Sequence, residues 1–209
     1  MTQLNTQSLA IAAQRGAAVP AYDRQSLTPS VVHIGLGAFH RAHQAMVFDA
    51  LLSRGDRRWG VLGVAMRSTQ LADALQTQHG LYAVQIASVK GIHWQIPGAI
   101  VDTCVLAREN ATVIQAIAAP STRWITLTVT EKGYTPELAK LIVQGLTLRH
   151  RQGLSGLTIA SCDNLSHNGK RLQAACVAAA QALSAELANW VDQVCVFPNS
   201  TVDRIVPAA

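Results

Sequence analysis

Short apolar runs alternate along this chain with longer stretches whose apolar residues recur at helical spacing. The short runs predict strands over residues 31–34, 59–66, 124–130, 157–161 and 193–197. The longer stretches predict helices over residues 39–53, 69–77, 106–118, 136–151 and 170–187. Strands and helices of these lengths in alternation are typical of an α/β fold built on a doubly wound, mostly parallel sheet.

Two parts of the chain depart from this alternation. Residues 81–87 and 92–102 are both predicted to be extended, and Lys90-Gly91 between them favours a hairpin. Residues 1–30 end in sequence rich in Pro, Ser and Thr, and we expect them to form a leader laid over the domain surface. The predicted organisation is therefore a leader over 1–30 followed by one domain over 31–209.

The first predicted strand leads directly into a glycine turn and then into a helix. Gly35 permits the turn, and Gly37 allows a close approach of the backbone to a ligand. The helix start then offers free N–H groups to an anion such as a pyrophosphate. The third glycine of the usual dinucleotide pattern would fall at residue 40, which is His40. Taken alone, the turn leaves a dinucleotide site, a purely structural turn and a methyltransferase site open.

Polar segments follow five of the predicted strands at their carboxyl ends. These segments are residues 35–37, 67–68, 130–132, 163–164 and 199–203. Ligands of open α/β sheets bind outside the carboxyl ends of the strands. Loops are polar in most proteins, but five polar strand ends on one sheet edge favour a ligand crevice there.

Composition narrows the class of protein. The chain has 209 residues, of which 49% are apolar and 14% charged, with a net charge of +5. It has no run of Lys and Arg and no basic strip interleaved with aromatic residues, so we expect no nucleic-acid partner. We expect no membrane partner, because no apolar run approaches the length of a membrane span. We expect no signal peptide, because residues 1–18 have no basic start followed by an apolar run. A cytoplasmic location is the resulting prediction.

Two features that are often associated with metal or disulfide chemistry have simpler explanations here. Four cysteines are scattered without a C-x-x-C pair, which predicts reduced core residues. His40 and His43 lie three residues apart on a predicted helix but have no third ligand nearby. Packing and phosphate contact at the helix start are the favoured roles of these histidines, and no metal site is predicted.

Four segments occur together in a specific order. They are Ile34-Gly35-Leu36-Gly37-Ala38-Phe39-His40-Arg41-Ala42-His43, Thr130-Glu131-Lys132-Gly133-Tyr134, Ser161-Cys162-Asp163-Asn164 with Asn168-Gly169, and Val202-Asp203-Arg204-Ile205-Val206-Pro207. In this combination the chain resembles the polyol-specific long-chain dehydrogenases, the mannitol dehydrogenase family that includes fructuronate reductases. The resemblance covers residues 20–209, and in this family the helix start containing His40 replaces the third glycine.

The resemblance implies a Rossmann-like domain of an NAD-dependent, metal-independent oxidoreductase. Such an enzyme interconverts a secondary alcohol of a sugar alcohol or sugar acid with its ketone. The implied cofactor-binding residues are Ile34, Gly35, Leu36, Gly37, Ala38, Phe39, His40, Arg41, Thr130 and Glu131. Asn164 is implied to stabilise the developing alkoxide, and Lys132 and Asp203 to contact the substrate. An exposed pair on a turn is the alternative for Glu131 and Lys132.

The choice between NAD and NADP stays open at this point. An acidic residue at the end of the second strand normally accepts hydrogen bonds from the adenosine ribose. Here Met66-Arg67-Ser68 offers no carboxylate, and Arg67 could hold a 2′-phosphate or be a surface cation. The resemblance favours NAD, and NADP is not excluded.

The sequence also departs from the family. Family members place a catalytic lysine in a second, mostly helical domain that begins beyond the Val-Asp-Arg motif, whereas this sequence ends at Ala209. The lysines present, Lys90, Lys132, Lys140 and Lys170, do not lie in that context. Because alcohol oxidation needs a base, we expect the chain to be the cofactor half, completed by a separately encoded helical domain. The alternative is a non-catalytic dinucleotide-binding module or a truncated remnant.

Overall fold

The computed structural model describes residues 4–66, 68–89, 91–129, 133–202 and 205–207. Its strands are β1 Pro29–Ile34, β2 Gly60–Ala65, β3 Val84–Ser88, β4 Gly91–Gln95, β5 Ile100–Val105, β6 Trp124–Leu127 and β7 Thr158–Ser161. Its α-helices are α1 Leu9–Gln14, α2 Ala38–Ala42, α3 Gln44–Ser53, α4 Thr69–Thr77, α5 Leu106–Ala118, α6 Pro136–Arg151, α7 Asn168–Gln181 and α8 Ala185–Val194. Within the described ranges, no helix is both long enough and apolar enough to cross a bilayer.

Five strands form one parallel sheet in the order β5-β2-β1-β6-β7. The chain builds outward from β1 through β2 to β5, then returns to the other side of β1 for β6 and β7. The strand order therefore reverses between β1 and β6, which is where ligands bind in doubly wound sheets. The predicted α/β fold with a mostly parallel sheet is confirmed.

The sheet separates two hydrophobic clusters, one on each face. Val31 belongs to one cluster, and its neighbour Val32 belongs to the other, because successive strand residues point to opposite faces. Helices α5, α6, α7 and α8 cover the Val32 side, whereas α3 and α4 cover the Val31 side. Since both faces are covered, every residue of β1 after Pro29 is buried, as expected of a central parallel strand.

Three predicted elements are each divided in two in the structure, because polar or turn residues interrupt the chain within them. The predicted helix over 39–53 is two helices, since the backbone of His43 leaves the helical region. The predicted helix over 170–187 also divides, because the Ser184 hydroxyl accepts the Leu187 N–H and caps a new helix. The extended segment 92–102 divides at Pro97-Gly98: β4 pairs with β3 in the predicted hairpin, while β5 joins the main sheet.

The strand predicted over 193–197 is wrong. Helix α8 continues to Val194, and beyond it only an isolated parallel bridge joins Val196 to Thr158. The first two residues of the segment continue the helix, and the other three follow its end, because a short apolar run does not by itself distinguish a strand from a helix end.

The segment before β1 is tied to the domain by buried polar contacts. The Asp49 carboxylate accepts hydrogen bonds from the Tyr22 hydroxyl at 2.6 Å and from the Gly98 N–H at 2.7 Å. The Arg24 guanidinium donates to the carbonyls of Gly98 and Ile100 at 2.9 and 2.7 Å. Tyr22 and Arg24 therefore join helix α3 to the turn before β5. The division of the chain between residues 30 and 31 stays a prediction.

The four cysteines, Cys104, Cys162, Cys176 and Cys195, are free and buried. Burial raises the pKa of the Cys104 and Cys176 thiols to about 12 and that of Cys162 to about 11. The thiols therefore stay protonated near neutral pH and behave as small apolar groups, as the sequence predicts.

The contact between α5 and α6 allows a test of the packing. A Cβ at Gly145 in α6 would lie 2.4 Å from Ile117 Cγ2 and 2.5 Å from Ile117 Cβ. We expect Gly145→Ala to lower the free energy of unfolding by about 1–3 kcal/mol, because overpacking exceeds the gain in helix propensity. Urea denaturation measures the change, with exposed Gln144→Ala as a control expected to stay within about 0.5 kcal/mol. A more stable G145A protein would contradict this packing.

Candidate functional site

The glycine turn after β1 is fixed by a close backbone contact. Gly35 has φ +105°, and a Cβ on it would lie 2.4 Å from the Thr128 carbonyl oxygen. Its N–H and that of Leu36 both donate to the Val64 carbonyl, at 2.9 and 3.1 Å. The turn is therefore held between the ends of β2 and β6, at the point where the strand order reverses.

Gly37 leaves the mouth of the turn open. It is the N-cap of α2 with extended backbone, and no side chain caps the helix. A Cβ built on it would find only the Gly35 carbonyl oxygen, 3.7 Å away. The first N–H groups of a helix have no partner within the helix. The turn thus offers backbone donors and space to an approaching anion, as a diphosphate requires.

His33 connects this turn to β6 through both ring nitrogens. Thr128 Oγ1 donates to the Gly35 carbonyl at 2.6 Å, so its lone pairs are free to accept from His33 Nε2 at 3.0 Å. His33 Nδ1 then accepts from Thr126 Oγ1 at 2.8 Å. The arrangement suits a neutral ring protonated on Nε2. Burial, followed by the neighbouring His40, holds the pKa of His33 well below its usual value.

His40 lies beneath the turn, at the position of the missing third glycine. Its ring stacks on that of His33 with a centroid distance of 3.4 Å and an interplanar angle of 14°. Its Nδ1 donates to Gln44 Oε1 at 3.2 Å, while its buried Nε2 has no partner among the described atoms. Burial lowers the pKa of His40 to about 3. A flat neutral ring therefore supplies the close packing that glycine supplies elsewhere.

The remaining predicted residues of this segment divide between core and surface. Ile34 and Leu36 are buried, and Leu36 packs over Gly63, where a Cβ would lie 2.9 Å from its methyl groups. The Arg41 guanidinium lies 5.7 Å from the centre of the Tyr82 ring, and its carbonyl accepts the Tyr82 hydroxyl at 2.7 Å. Ala38 begins α2, and Phe39 lines a cavity at the sheet edge.

This cavity of about 260 Å³ lies between the start of α2, the end of β6 and the loop after β7. Its lining residues are Phe39, Thr128, Val129, Cys162, Asp163, Asn164 and Val202. Asn164 Oδ1 accepts the Val202 N–H at 2.6 Å. The Asn164 side chain is exposed, and its NH₂ group has no partner within the described part of the chain. The amide is thus oriented through its oxygen, with its donor end free.

A polar network behind Asn164 fixes this loop. The Nδ2 of buried Asn168 donates to the carbonyls of Asp163 and Ser200 at 3.1 and 3.0 Å. Its Oδ1 accepts the Ser200 N–H at 2.9 Å. Asp163 Oδ2 accepts from Tyr134 and from Ser161, the latter at 2.6 Å. Sequence reasoning missed the role of Asn168, because its main partner Ser200 lies 32 residues away.

Asp163 is the carboxylate of this cavity, and both its oxygens are occupied. Besides the Oδ2 contacts, Oδ1 accepts from the Leu165 N–H at 2.9 Å and from Asn168 Nδ2 at 3.1 Å. Burial raises the pKa of Asp163, but the hydrogen bonds from Ser161 and Tyr134 outweigh it and the net pKa is lowered. A carboxylate with its lone pairs engaged and a lowered pKa is a poor proton acceptor.

Five of the predicted site residues lie outside the described residues. These are Arg67, Thr130, Glu131, Lys132 and Asp203. Their proposed contacts with cofactor and substrate stay predictions. The residue directly after β2 is Met66, which offers no carboxylate to an adenosine ribose.

The described residues contain no cluster of three or more His, Cys, Asp or Glu side chains suited to a metal ion. His40 is engaged with His33 and Gln44, while His43 Nδ1 lies 3.9 Å from Cys162 Sγ. The two histidines considered in the sequence therefore lie in different environments.

The sequence model of one protein family, the mannitol dehydrogenase Rossmann domain, matches residues 29–209 of this chain. The chain belongs to the mannitol dehydrogenase family. It is 37% identical to mannitol 2-dehydrogenase of Cereibacter sphaeroides over 90% of its own length. It is 34% identical to D-mannonate oxidoreductase of Escherichia coli (strain K12) over 91% of its length. The resemblance derived from the four sequence segments is confirmed, and the chain has the Rossmann fold of a family of oxidoreductases.

A solved structure extends this comparison to three dimensions. Mannitol 2-dehydrogenase of Pseudomonas fluorescens, in ternary complex with NAD and D-mannitol, superposes with a TM-score of 0.89 over 99% of this chain at 31% identity. The chain corresponds to 48% of that protein and to 45% of each of the two family members above. It thus spans about half the length of the relatives it matches.

The stacked histidines predict a specific pH dependence of stability. Unfolded histidine titrates near about pH 6.5, whereas folded His40 stays neutral down to about pH 3. Between these values the unfolded state binds the extra proton, so the free energy of unfolding falls as the pH falls. The expected loss is about 1.4 kcal/mol per pH unit for each such histidine.

The comparison of wild type with His40→Gln by urea denaturation at several pH values between neutrality and pH 4.5 checks this expectation. In the wild type, His33 and His40 each bind a proton on unfolding below about pH 6.5, whereas in the variant only His33 does. The free energy of unfolding of the variant therefore depends less steeply on pH. Parallel pH profiles for the two proteins would show that His40 does not stay neutral in the folded state.

Proposed function

We propose that this chain is the cofactor-binding half of an NAD-dependent polyol or hexonate dehydrogenase. Such an enzyme interconverts a secondary alcohol of the mannitol, mannonate or altronate class with its ketone. One observation carries the proposal: Phe39, in the first turn of the helix that follows the glycine turn, and Asn164, whose amide donor is free, line the same cavity. The family membership and the NAD and D-mannitol bound to the Pseudomonas fluorescens relative support it.

The residues around the turn fit a dinucleotide. The backbone N–H groups at the start of α2 would hold the diphosphate, and Gly37 leaves room for it. The nicotinamide, when bound, supplies the acceptor or donor of a hydride. NAD is the expected cofactor, and a comparison of NADH and NADPH dissociation constants tests this choice. Tighter binding of NADPH would favour the alternative in which Arg67 holds a 2′-phosphate.

Asn164 would orient and stabilise the substrate oxygen. Its Oδ1 is held by Val202, so its NH₂ group is the end left to donate to a developing alkoxide. A neutral amide suits this role because it does not titrate. Lys132 and Asp203 are proposed to contact the sugar on the same sheet edge.

The proton acceptor is the component that the described cavity does not provide. Asp163 is engaged through both oxygens, and neither lysine nor histidine lines the cavity among the described residues. Relatives about twice as long support a base on a helical domain, supplied here by a separate chain or by further sequence. The lack of a proton acceptor in the described cavity also favours a second candidate function, a module that binds the dinucleotide without catalysis.

The buried free thiols support the proposed cytoplasmic location.

Cofactor binding at the turn can be separated from folding through Gly37. Its φ of −111° suits any residue, and a Cβ there has only ordinary contacts. We expect Gly37→Val to stay folded, with a loss of at most about 1 kcal/mol from the poorer N-cap, but to weaken NADH binding at least about tenfold, because the side chain fills the path of the diphosphate. Calorimetric titration with NADH measures this, with Ala50→Val on the exposed side of α3 as the control. Unchanged NADH affinity in G37V would place the cofactor elsewhere.

The role of Asn164 is tested with two variants. Asn164→Asp keeps an oxygen to accept from Val202 but removes the donor, whereas Asn164→Ala removes both. We expect both to lower kcat by about 100-fold or more, with NADH affinity preserved. The assay is NADH oxidation with fructose, fructuronate or tagaturonate, by the chain alone and with a helical domain of a relative added.

The outcomes of that assay distinguish the two candidates. Turnover by the completed enzyme, lost in both Asn164 variants, supports the dehydrogenase. Tight NADH binding without turnover in either format supports the binding module. Turnover by the chain alone would contradict the inference that the proton acceptor lies outside the described cavity.

A further inference from the structure

A second large cavity lies at the opposite edge of the sheet, where the strands begin. It measures about 770 Å³ and is bordered by the residues that lead into β1, β6 and β7. Four arginines line it: Arg57, Arg58, Arg123 and Arg149. Its lining contains no aspartate or glutamate among the described residues. Neither the family resemblance nor the proposed dehydrogenase reaction uses this cavity.

Arg149 places a buried positive charge in its wall. The residue is 2% exposed, and its guanidinium donates to the carbonyls of Ile117, Ala119 and Ser155 at 2.7–3.2 Å. These carbonyls satisfy its N–H groups but carry no formal charge. No carboxylate pairs with Arg149 among the described residues. A buried cation without a counter-ion creates a positive potential that favours a nearby anion.

The exposed arginines add to this potential unequally. Arg58 is neutralised by Asp56, with Nε to Oδ1 at 2.7 Å. Arg57 and Arg123 form no ion pair within the described residues, and Arg57 only faces the Tyr22 ring at 6.0 Å. Three guanidinium groups around the cavity therefore lack a neutralising partner.

Neutral donors accompany these charges. Thr28 and Thr158 line the same cavity, and their hydroxyls form no hydrogen bond within the described part of the protein. Other hydroxyls of the lining, such as those of Ser121 and Thr122, already donate to backbone carbonyls. The cavity thus combines the unpaired guanidinium groups of Arg57 and Arg123 with free hydroxyl donors, which is a donor set for an oxyanion, while Arg149 contributes its charge.

We propose that this cavity binds a small phosphate-bearing anion, separate from the dinucleotide at the other edge of the sheet. Guanidinium groups match the geometry of phosphate oxygens and form paired, charge-assisted hydrogen bonds with them. The concave shape between strand starts favours a small molecule over an extended polyanion. The proposal is independent of the dehydrogenase function, because it involves no residue of the glycine turn or of the Asn164 loop.

Equilibrium dialysis with labelled inorganic pyrophosphate tests the proposal on the full chain. The test variant is the double substitution Arg57→Gln and Arg123→Gln, which alters two exposed side chains and leaves the buried Arg149 in place. The control is Arg15→Gln with Arg151→Gln, which removes the same charge from exposed positions outside the cavity. Unfolding midpoints of both variants confirm that they are folded.

We expect wild type and control to bind pyrophosphate with affinities within about twofold of each other, and the test variant to bind at least about tenfold more weakly. Saturation with NADH should leave this binding in place, and citrate should compete poorly. Equal binding by the test variant, or displacement of pyrophosphate by NADH, would overturn the proposal. Absence of millimolar binding by wild type, or equal affinity for citrate, would overturn it too.

Discussion

The contact between the Gly35 backbone and the Thr128 carbonyl is the constraint on which the candidate site depends. A side chain at residue 35 would lie 2.4 Å from that oxygen, so the ends of β1 and β6 can approach only because glycine occupies this position. The same approach lets Thr128 Oγ1 bond to the Gly35 carbonyl and brings His33 into contact with both. It also places the helix start beside the Asn164 loop across the point where the strand order reverses.

The side chains around this contact are mostly neutral or have their charge engaged in hydrogen bonds. Two histidines are stacked and deprotonated beneath the turn, and an amide faces the cavity. The carboxylate of Asp163 is surrounded by donors, so that it orients the loop instead of reacting. Backbone N–H groups and one amide donor remain available at this edge, which suits a negatively charged cofactor and a developing alkoxide.

Sequence reasoning predicted the parallel sheet, most helices and the glycine turn, because these depend on local periodicity and on glycine geometry. The helices over 69–77, 106–118 and 136–151 match α4, α5 and α6 at both ends. Sequence reasoning failed where the end of a strand depends on tertiary contacts. At Pro97-Gly98, for example, the N–H of Gly98 donates to the Asp49 carboxylate of helix α3.

The sequence predicted the candidate site only in part. Asn164 and the turn follow from the motifs, whereas the partners that orient them do not. The bond from Asn164 to Val202 spans 38 residues, and the one from His33 to Thr128 spans 95. Such pairs become neighbours only when the sheet forms. The predicted fusion of α7 and α8 failed for a smaller reason, because a single serine cap in an alanine-rich stretch is a weak signal.

The contacts of Asp49 have a practical consequence for anyone producing this domain. The family match begins at residue 29, which would suggest a shortened protein starting at β1. That boundary would delete Tyr22 and Arg24. The Asp49 carboxylate, which also accepts from the Gly98 N–H, would lose its tyrosine partner, and the carbonyls of Gly98 and Ile100 would lose the Arg24 guanidinium. An expression boundary drawn from sequence similarity alone would therefore cut through a shared polar core, so the upstream stretch belongs in any fragment intended for crystallisation.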